Sequence, residues 1–394
     1  MSDEQRIREA LRDAPVPDEA AAHERGLRVV SAALEQQPAS RRRAPSIRRL
    51  GITLAAIGLL SGVVLSPVGA EVRDWVGDVV ANNSAVSAPT LTDLPGGGEL
   101  LVESEDGPWV VRGDGSQRLL GDYEQATWSP RGLFIAVTDG GRLSAVDPMG
   151  EPRWTVSQPT PVRDPRWSPS GFRVAYRAGP ALRVVAGDGT EDQLIAANVS
   201  PVAPVWRPGA AHVLAYVTPD GRMHALDTDL DKVRFLTGPI GSSTISLSWS
   251  ADGRRVFALS PEQLIIFDGQ GNRVTSVARP ASARFVAAQW EPHGQRLALL
   301  WRYGHLRPRT ELVIARPGPS QRLLFAAPGT LTDLIWSPGG ERLLVSWQQA
   351  DQWVFVPVDG SPEPQAVADI SAQFAPGEPT PALPAISGWI QPQR

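Results

Sequence analysis

A turn built on tryptophan returns six times between residues 128 and 340, and it decides the fold. It reads Trp128-Ser129-Pro130-Arg131-Gly132, Trp167-Ser168-Pro169-Ser170-Gly171, Trp206-Arg207-Pro208-Gly209, Trp249-Ser250-Ala251-Asp252-Gly253, Trp290-Glu291-Pro292-His293-Gly294 and Trp336-Ser337-Pro338-Gly339-Gly340. Successive tryptophans are 39, 39, 43, 41 and 46 residues apart. A period of about 40 with an apolar strand after each turn marks a β-propeller, one four-stranded blade per repeat.

The second repeat shows the physical pattern. A short strand, Asp164 to Trp167, meets a turn in which Pro169 presets φ and Gly171 supplies a positive φ. Phe172 to Arg177 then alternates apolar and polar as a half-buried strand does. Leu182 to Val185 and Gln193 to Ile195 complete the blade. The six tryptophans read as packing residues between adjacent blades, since each side chain can bury roughly 150–250 Å². The segments Glu99–Val102, Trp109–Arg112 and Gln117–Leu120 look like second, third and fourth strands without a first. The tail from Ala385 to Ile390 fits that vacancy, and its return would close the ring and leave no free sheet edge. The expected fold is therefore all-β, a seven-bladed propeller. Six or eight blades are the alternatives if the tail lies elsewhere.

The Trp-Ser-Pro-x-Gly turn followed by an apolar strand resembles the WD40-like repeat of TolB-type propellers, over roughly residues 98 to 390. It differs from the Trp-Asp signature of eukaryotic WD-repeat proteins, because no such pair ends the third strands. The resemblance implies an extracytoplasmic protein-interaction module in a bacterial envelope.

Leu50 to Ala70 carries no charged residue, and 21 residues of helix match the ~30 Å core of a bilayer. Arg41, Arg42, Arg43, Arg48 and Arg49 precede it, so the positive-inside rule expects a cytoplasmic N-terminus and an outward propeller. A cleavable signal has a shorter apolar run near the start of the chain, which favours an uncleaved single-pass anchor. Before it, Asp3–Asp13 and a run bearing Leu27, Val30 and Leu34 form two short helical patterns. This layout resembles that of transmembrane anti-sigma factors, without their histidine–cysteine zinc motif, and implies a sigma-factor-like cytoplasmic partner. The expected organisation is a cytoplasmic helical segment over 1–49, a transmembrane helix over 50–70, a juxtamembrane helix and linker over 71–97, and the propeller over 98–390.

Chemistry is sparse. The chain has no cysteine, which removes disulfides, thiolate metal sites and cysteine nucleophiles. A net charge of −4 gives nucleic acid no reason to bind. No Gly-x-Ser-x-Gly elbow, phosphate loop or dinucleotide fingerprint occurs. His212, His224, His293 and His305 lack a metal-ligand spacing and read as surface or turn residues. Asp114, Asp147, Asp188, Asp268 and Asp359 recur after third strands as turn formers ahead of calcium ligands. No cofactor, metal or catalytic residue is expected. One loop breaks the pattern: Arg302-Tyr303-Gly304-His305-Leu306-Arg307-Pro308-Arg309-Thr310 is longer than its counterparts. Arg302, Arg307 and Arg309 beside Tyr303 and His305 suit an acidic partner, and a solvated hairpin is the alternative. The reading that follows is a non-catalytic membrane protein whose propeller binds a protein or small ligand. The alternatives are a scaffold of an envelope assembly and a propeller enzyme of lyase or quinone-dependent dehydrogenase type.

Overall fold

The computed structural model describes residues 91–209, 212–316, 321–359, 363–375 and 381–393. They form seven antiparallel sheets of four strands each. Blade 1 is composite: the C-terminal strand Ala385–Ile390 comes first, followed by Glu99–Ser104, Gly107–Arg112 and Gln117–Leu119. Blades 2 to 7 begin with Gln125–Trp128, Val162–Trp167, Val205–Trp206, Ser246–Trp249, Ala283–Trp290 and Leu331–Trp336. The first strand of each blade contacts the first strands of both neighbours, so these seven strands surround the central axis. The count is seven, and the tail closes the ring.

Burial follows strand position within the blade. Second and third strands such as Val213–Val217 and Gln352–Pro357 are buried throughout, because adjacent blades cover both faces. A fourth strand such as Arg273–Val277 lies at the outer rim and is mostly exposed. The repeated tryptophans are buried, and three of them also pin one blade to the one before it. Trp206 Nε1 donates to Arg166 O at 2.9 Å, Trp290 Nε1 to Ser248 O at 3.2 Å and Trp336 Nε1 to Gln289 O at 3.2 Å. Each acceptor is the residue just before the previous blade's tryptophan. The repeat period thus records the distance between one interblade clamp and the next.

Part of the expected linker belongs to the propeller. Leu91 and Leu94 are buried with Trp353, Phe374 and Trp389 in the core between blades 7 and 1. A short helix, Ile370–Phe374, caps the same core, with Asp351 accepting from Ser371 N at 2.9 Å and from its hydroxyl at 2.6 Å.

The membrane anchor calls for correction. The expected spanning segment, Leu50 to Ala70, lies outside the described residues, as do residues 1–49 with their expected sigma-factor-like partner. Among the described residues no helix is long and apolar enough to cross a membrane. Ile370–Phe374 has five residues where about 20 are needed. The single-pass topology, cytoplasmic N-terminus and extracytoplasmic placement therefore have no counterpart in the structure, which supports the seven-bladed propeller alone.

Candidate binding groove on the turn face

Strand direction sorts the loops onto two faces. Every Trp-Ser-Pro turn, from first to second strand, lies on one face with the turns from third to fourth strand. The hairpins between second and third strands share the other face with the blade-to-blade connections. An open groove of about 1240 Å³ crosses the first of these, the turn face, over blades 2, 3 and 4. Phe134, Arg153, Trp154, Phe172, Arg173, Asp188, Glu191, His212 and Asp229 are among the residues that line it.

Its floor is set between blades 2 and 3. Trp154 Nε1 donates to Gly187 O at 2.9 Å and lays the indole against the third-to-fourth turn of blade 3. Gly189 in that turn has φ +87°, and a Cβ there would stand 2.8 Å from the Trp154 ring. Only glycine fits both the backbone and the ring. Asp188 orders the same turn by accepting from Thr190 N at 3.0 Å and its hydroxyl at 2.6 Å, bonds that hold the carboxyl below its ordinary range. Asp114, Asp147 and Asp268 accept from turn amides in the same way.

The walls are aromatic and charged. Phe134 stacks on Trp167 with ring centroids 6.5 Å apart, and the Phe172 side chain is 69% exposed. Leu133, Met149 and Leu230, on turns of the same face, are exposed as well. Arg173 reaches Glu191 Oε2 at 3.7 Å and Asp229 Oδ1 at 3.4 Å, bridging blade 3 to blade 4. His212 makes two short contacts, Nε2 to Ser170 Oγ at 2.7 Å and Nδ1 to Asp229 Oδ2 at 2.6 Å.

The residues singled out in the sequence lie elsewhere. The second and third strands of blade 6 run to Tyr303 and from Arg309, so the loop proper is Gly304–Pro308 and the extra length is strand. This hairpin stands on the opposite face from the groove. Arg309 Nη2 pairs with Glu311 Oε1 at 2.7 Å, and Tyr303 Oη donates to Glu311 Oε2 at 3.0 Å. Arg302 is half-buried, His305 and Arg307 are exposed, and Leu306 at the tip is 98% exposed. His224 stacks on Tyr216, and His293 Nε2 meets Pro338 O of the next blade at 3.0 Å. Among the described residues no cluster of histidine and carboxylate side chains could hold a metal ion.

At the axis the inner strands of blades 3 and 7 bulge at Asp164 and Asp333, which take φ of 56° and 39°. Glu103 of blade 1 senses both carboxylates and Arg166. Burial pushes the carboxyls of Glu103 and Asp333 above their ordinary values. Glu103 accepts from Ala126 N at 2.7 Å, and Asp164 from Arg177 Nε at 2.7 Å.

The groove had one legible signal that the repeat pattern obscured. The residue after the turn glycine is Arg254, Gln295 and Glu341 in blades 5, 6 and 7, but Leu133 and Phe172 in blades 2 and 3. The partners of His212 lie 42 and 17 residues away in the chain, beyond the reach of local spacing.

No protein-family model matches the chain, and no curated protein matches it. Solved structures do. The C-terminal WD40 domain of Sif2 aligns at 13% identity with a TM-score of 0.53, covering 69% of this chain and 82% of that one. Kluyveromyces lactis Hsv2 aligns at 14% identity and a TM-score of 0.51, covering 68% and 93%. Kuenenia stuttgartiensis hydrazine synthase aligns at 12% identity and 0.50, covering 59% and 76%. At such identities the likeness shows the propeller fold alone, and the TolB-type resemblance is not carried beyond that fold.

Proposed function

We propose that this propeller is a binding module that takes an extended segment of a partner protein into the turn-face groove. The observation that carries the reading is the exposure of Phe172, in a groove that Phe134 also lines, at a turn position that is charged or amide-bearing in blades 5 to 7. Exposed aromatics grouped on one face, rimmed by charges, mark an interaction surface. Rigid aromatic anchors carry a large share of binding energy at such surfaces. Arg153 and Arg173 line the groove together with Glu191 and Asp188 and offer both signs of charge for fixing the register of a bound segment.

Peptides selected from a random display library on the full-length protein test the reading. They should bind Phe172→Ser about tenfold or more weakly than the parent, the effect expected of an anchor residue. Peptides that bind both proteins equally would move the binding surface elsewhere, with the Arg302–Arg309 hairpin of the opposite face next in line.

A further inference from the structure

We infer that Ser170, His212 and Asp229 form an acyl-transfer relay on the rim of the groove, acting on small carboxylic esters. The inference stands on the hydrogen-bond geometry and does not depend on peptide binding. The Asp229 carboxylate can only accept, so the 2.6 Å contact places the imidazole proton on Nδ1. Nε2 is then free to accept from the Ser170 hydroxyl at 2.7 Å. The rest of the turn directs the same proton. Arg173 N donates to Ser168 Oγ at 3.0 Å, and Ser168 Oγ lies 2.9 Å from Ser170 Oγ, to which it can donate in turn. Phe172 N donates to Ser170 Oγ at 3.2 Å. With these bonds received, the hydroxyl of Ser170 has its proton directed at His212. Nucleophile, base and orienting carboxylate are thus in the order that defines such a relay by geometry on any fold.

The three groups come from separate turns. Ser170 follows Trp167 in blade 3, while His212 and Asp229 belong to the two turns of blade 4. The His212 side chain is 14% exposed and meets Trp206 edge-on with ring centroids 6.2 Å apart, and it opens on the groove together with Arg173 and Asp229. The equivalents of Ser170 are Arg131, Gly209, Asp252, His293 and Gly339, none a hydroxyl. The Ser170 amide makes no hydrogen bond within the described protein and would serve as a donor for a developing oxyanion, while Arg173 lines the groove with His212 and Asp229.

In the step this geometry allows, Ser170 Oγ bonds to the ester carbonyl carbon while its proton passes to His212 Nε2. The bond to the alcohol oxygen breaks, and that oxygen takes the proton from His212. Water then adds by the same path, losing a proton to Nε2, and the carboxylic acid leaves as the serine hydroxyl is restored. No redox partner is involved. Each absent oxyanion donor costs about 100- to 1000-fold in rate, so a site with few donors is slow in both steps and acylates faster than it deacylates only with a good leaving group such as p-nitrophenolate.

The test uses the full-length protein with a fluorophosphonate probe and with p-nitrophenyl butyrate. Mass spectrometry should locate one phosphonyl group on Ser170, and the ester should give a burst of p-nitrophenol. Ser170→Ala should abolish both. His212→Gln, which keeps a hydrogen-bonding side chain without a base, should slow labelling about 100-fold or more. Melting curves of each variant separate loss of chemistry from loss of fold. An unlabelled Ser170 in the folded parent, or labelling that His212→Gln leaves unchanged, would overturn the proposal. Ser170 and His212 would then be a clasp between blades, like His293 on Pro338.

Discussion

Trp389, five residues before Arg394, donates its indole N–H at 2.7 Å to the carbonyl of Gly97, which introduces the first described strand. It also stands opposite Leu100 in the ladder that closes blade 1. The two ends of the propeller are thus held by one side chain and one strand. Phe355 meets the Trp389 ring edge-on at 6.0 Å, so the same residue seals the core between blades 7 and 1.

Closure by this strand sets the first expected outcome. Trp389→Ala should lower stability by about 3–5 kcal/mol, the range for removing a large buried aromatic side chain. Deleting residues after 379 should cost more, because the edge of Glu99–Ser104 would also lose its partner. Chemical denaturation of parent and variants measures both. Equal midpoints for the truncated and intact proteins would refute closure by the tail.

The groove can be altered without harming the fold. Phe172 is exposed and its backbone is fixed by the Ser168–Arg173 bonds, so Phe172→Ser should change stability by no more than about 0.5 kcal/mol. Trp154→Ala should behave differently, since the ring is half-buried under Gly189 and bonded to Gly187. A melting curve for each variant distinguishes the exposed wall from the structural floor.

The axial carboxyls predict a pH dependence. Burial raises Glu103 above its ordinary value, against the opposing Ala126 N–H bond and Arg166. An acid raised on folding keeps its proton longer in the native state, so its contribution favours folding at low pH. That contribution is lost as pH rises through the folded-state value. Glu103→Gln keeps the acceptor for Ala126 and removes the charge. It should be more stable than the parent at pH 7, and the gap should close toward about pH 4, where the unfolded-state carboxyl also protonates. A gap that persists or widens at low pH would contradict the assignment.

The arginines of the blade 6 hairpin should not behave alike. Arg307→Ala is expected to leave stability within about 0.5 kcal/mol, because Arg307 lies on the exposed loop. Arg309 pairs with Glu311, a buried carboxylate, and Arg309→Ala should cost about 1–3 kcal/mol by leaving that charge less well paired. Urea denaturation of the two single variants checks the contrast.

The architecture was legible because a propeller is a local pattern written repeatedly. A turn with fixed proline and glycine positions, an apolar strand behind it and a constant period suffice to specify a blade. The same arithmetic exposed the missing first strand and its supply from Ala385–Ile390. Residue type says less about environment. In the Arg302–Arg309 hairpin, Arg309 pairs with Glu311 within the sheet, a partner two residues away on the same strand whose burial only the packed blade sets.

Sequence alone determined the repeat and the turn chemistry of the aspartates, since each depends on residues a few positions apart, whereas the count of seven needed the tail strand to pair with Glu99–Ser104. Tertiary structure decided which turns meet. Stacking of successive blades brings His212 to Ser170 across 42 residues, and ring closure buries Leu91 and Leu94 in what reads as linker. Side chains that converge from separate blades share no local spacing, so the groove became visible only when the blades were packed.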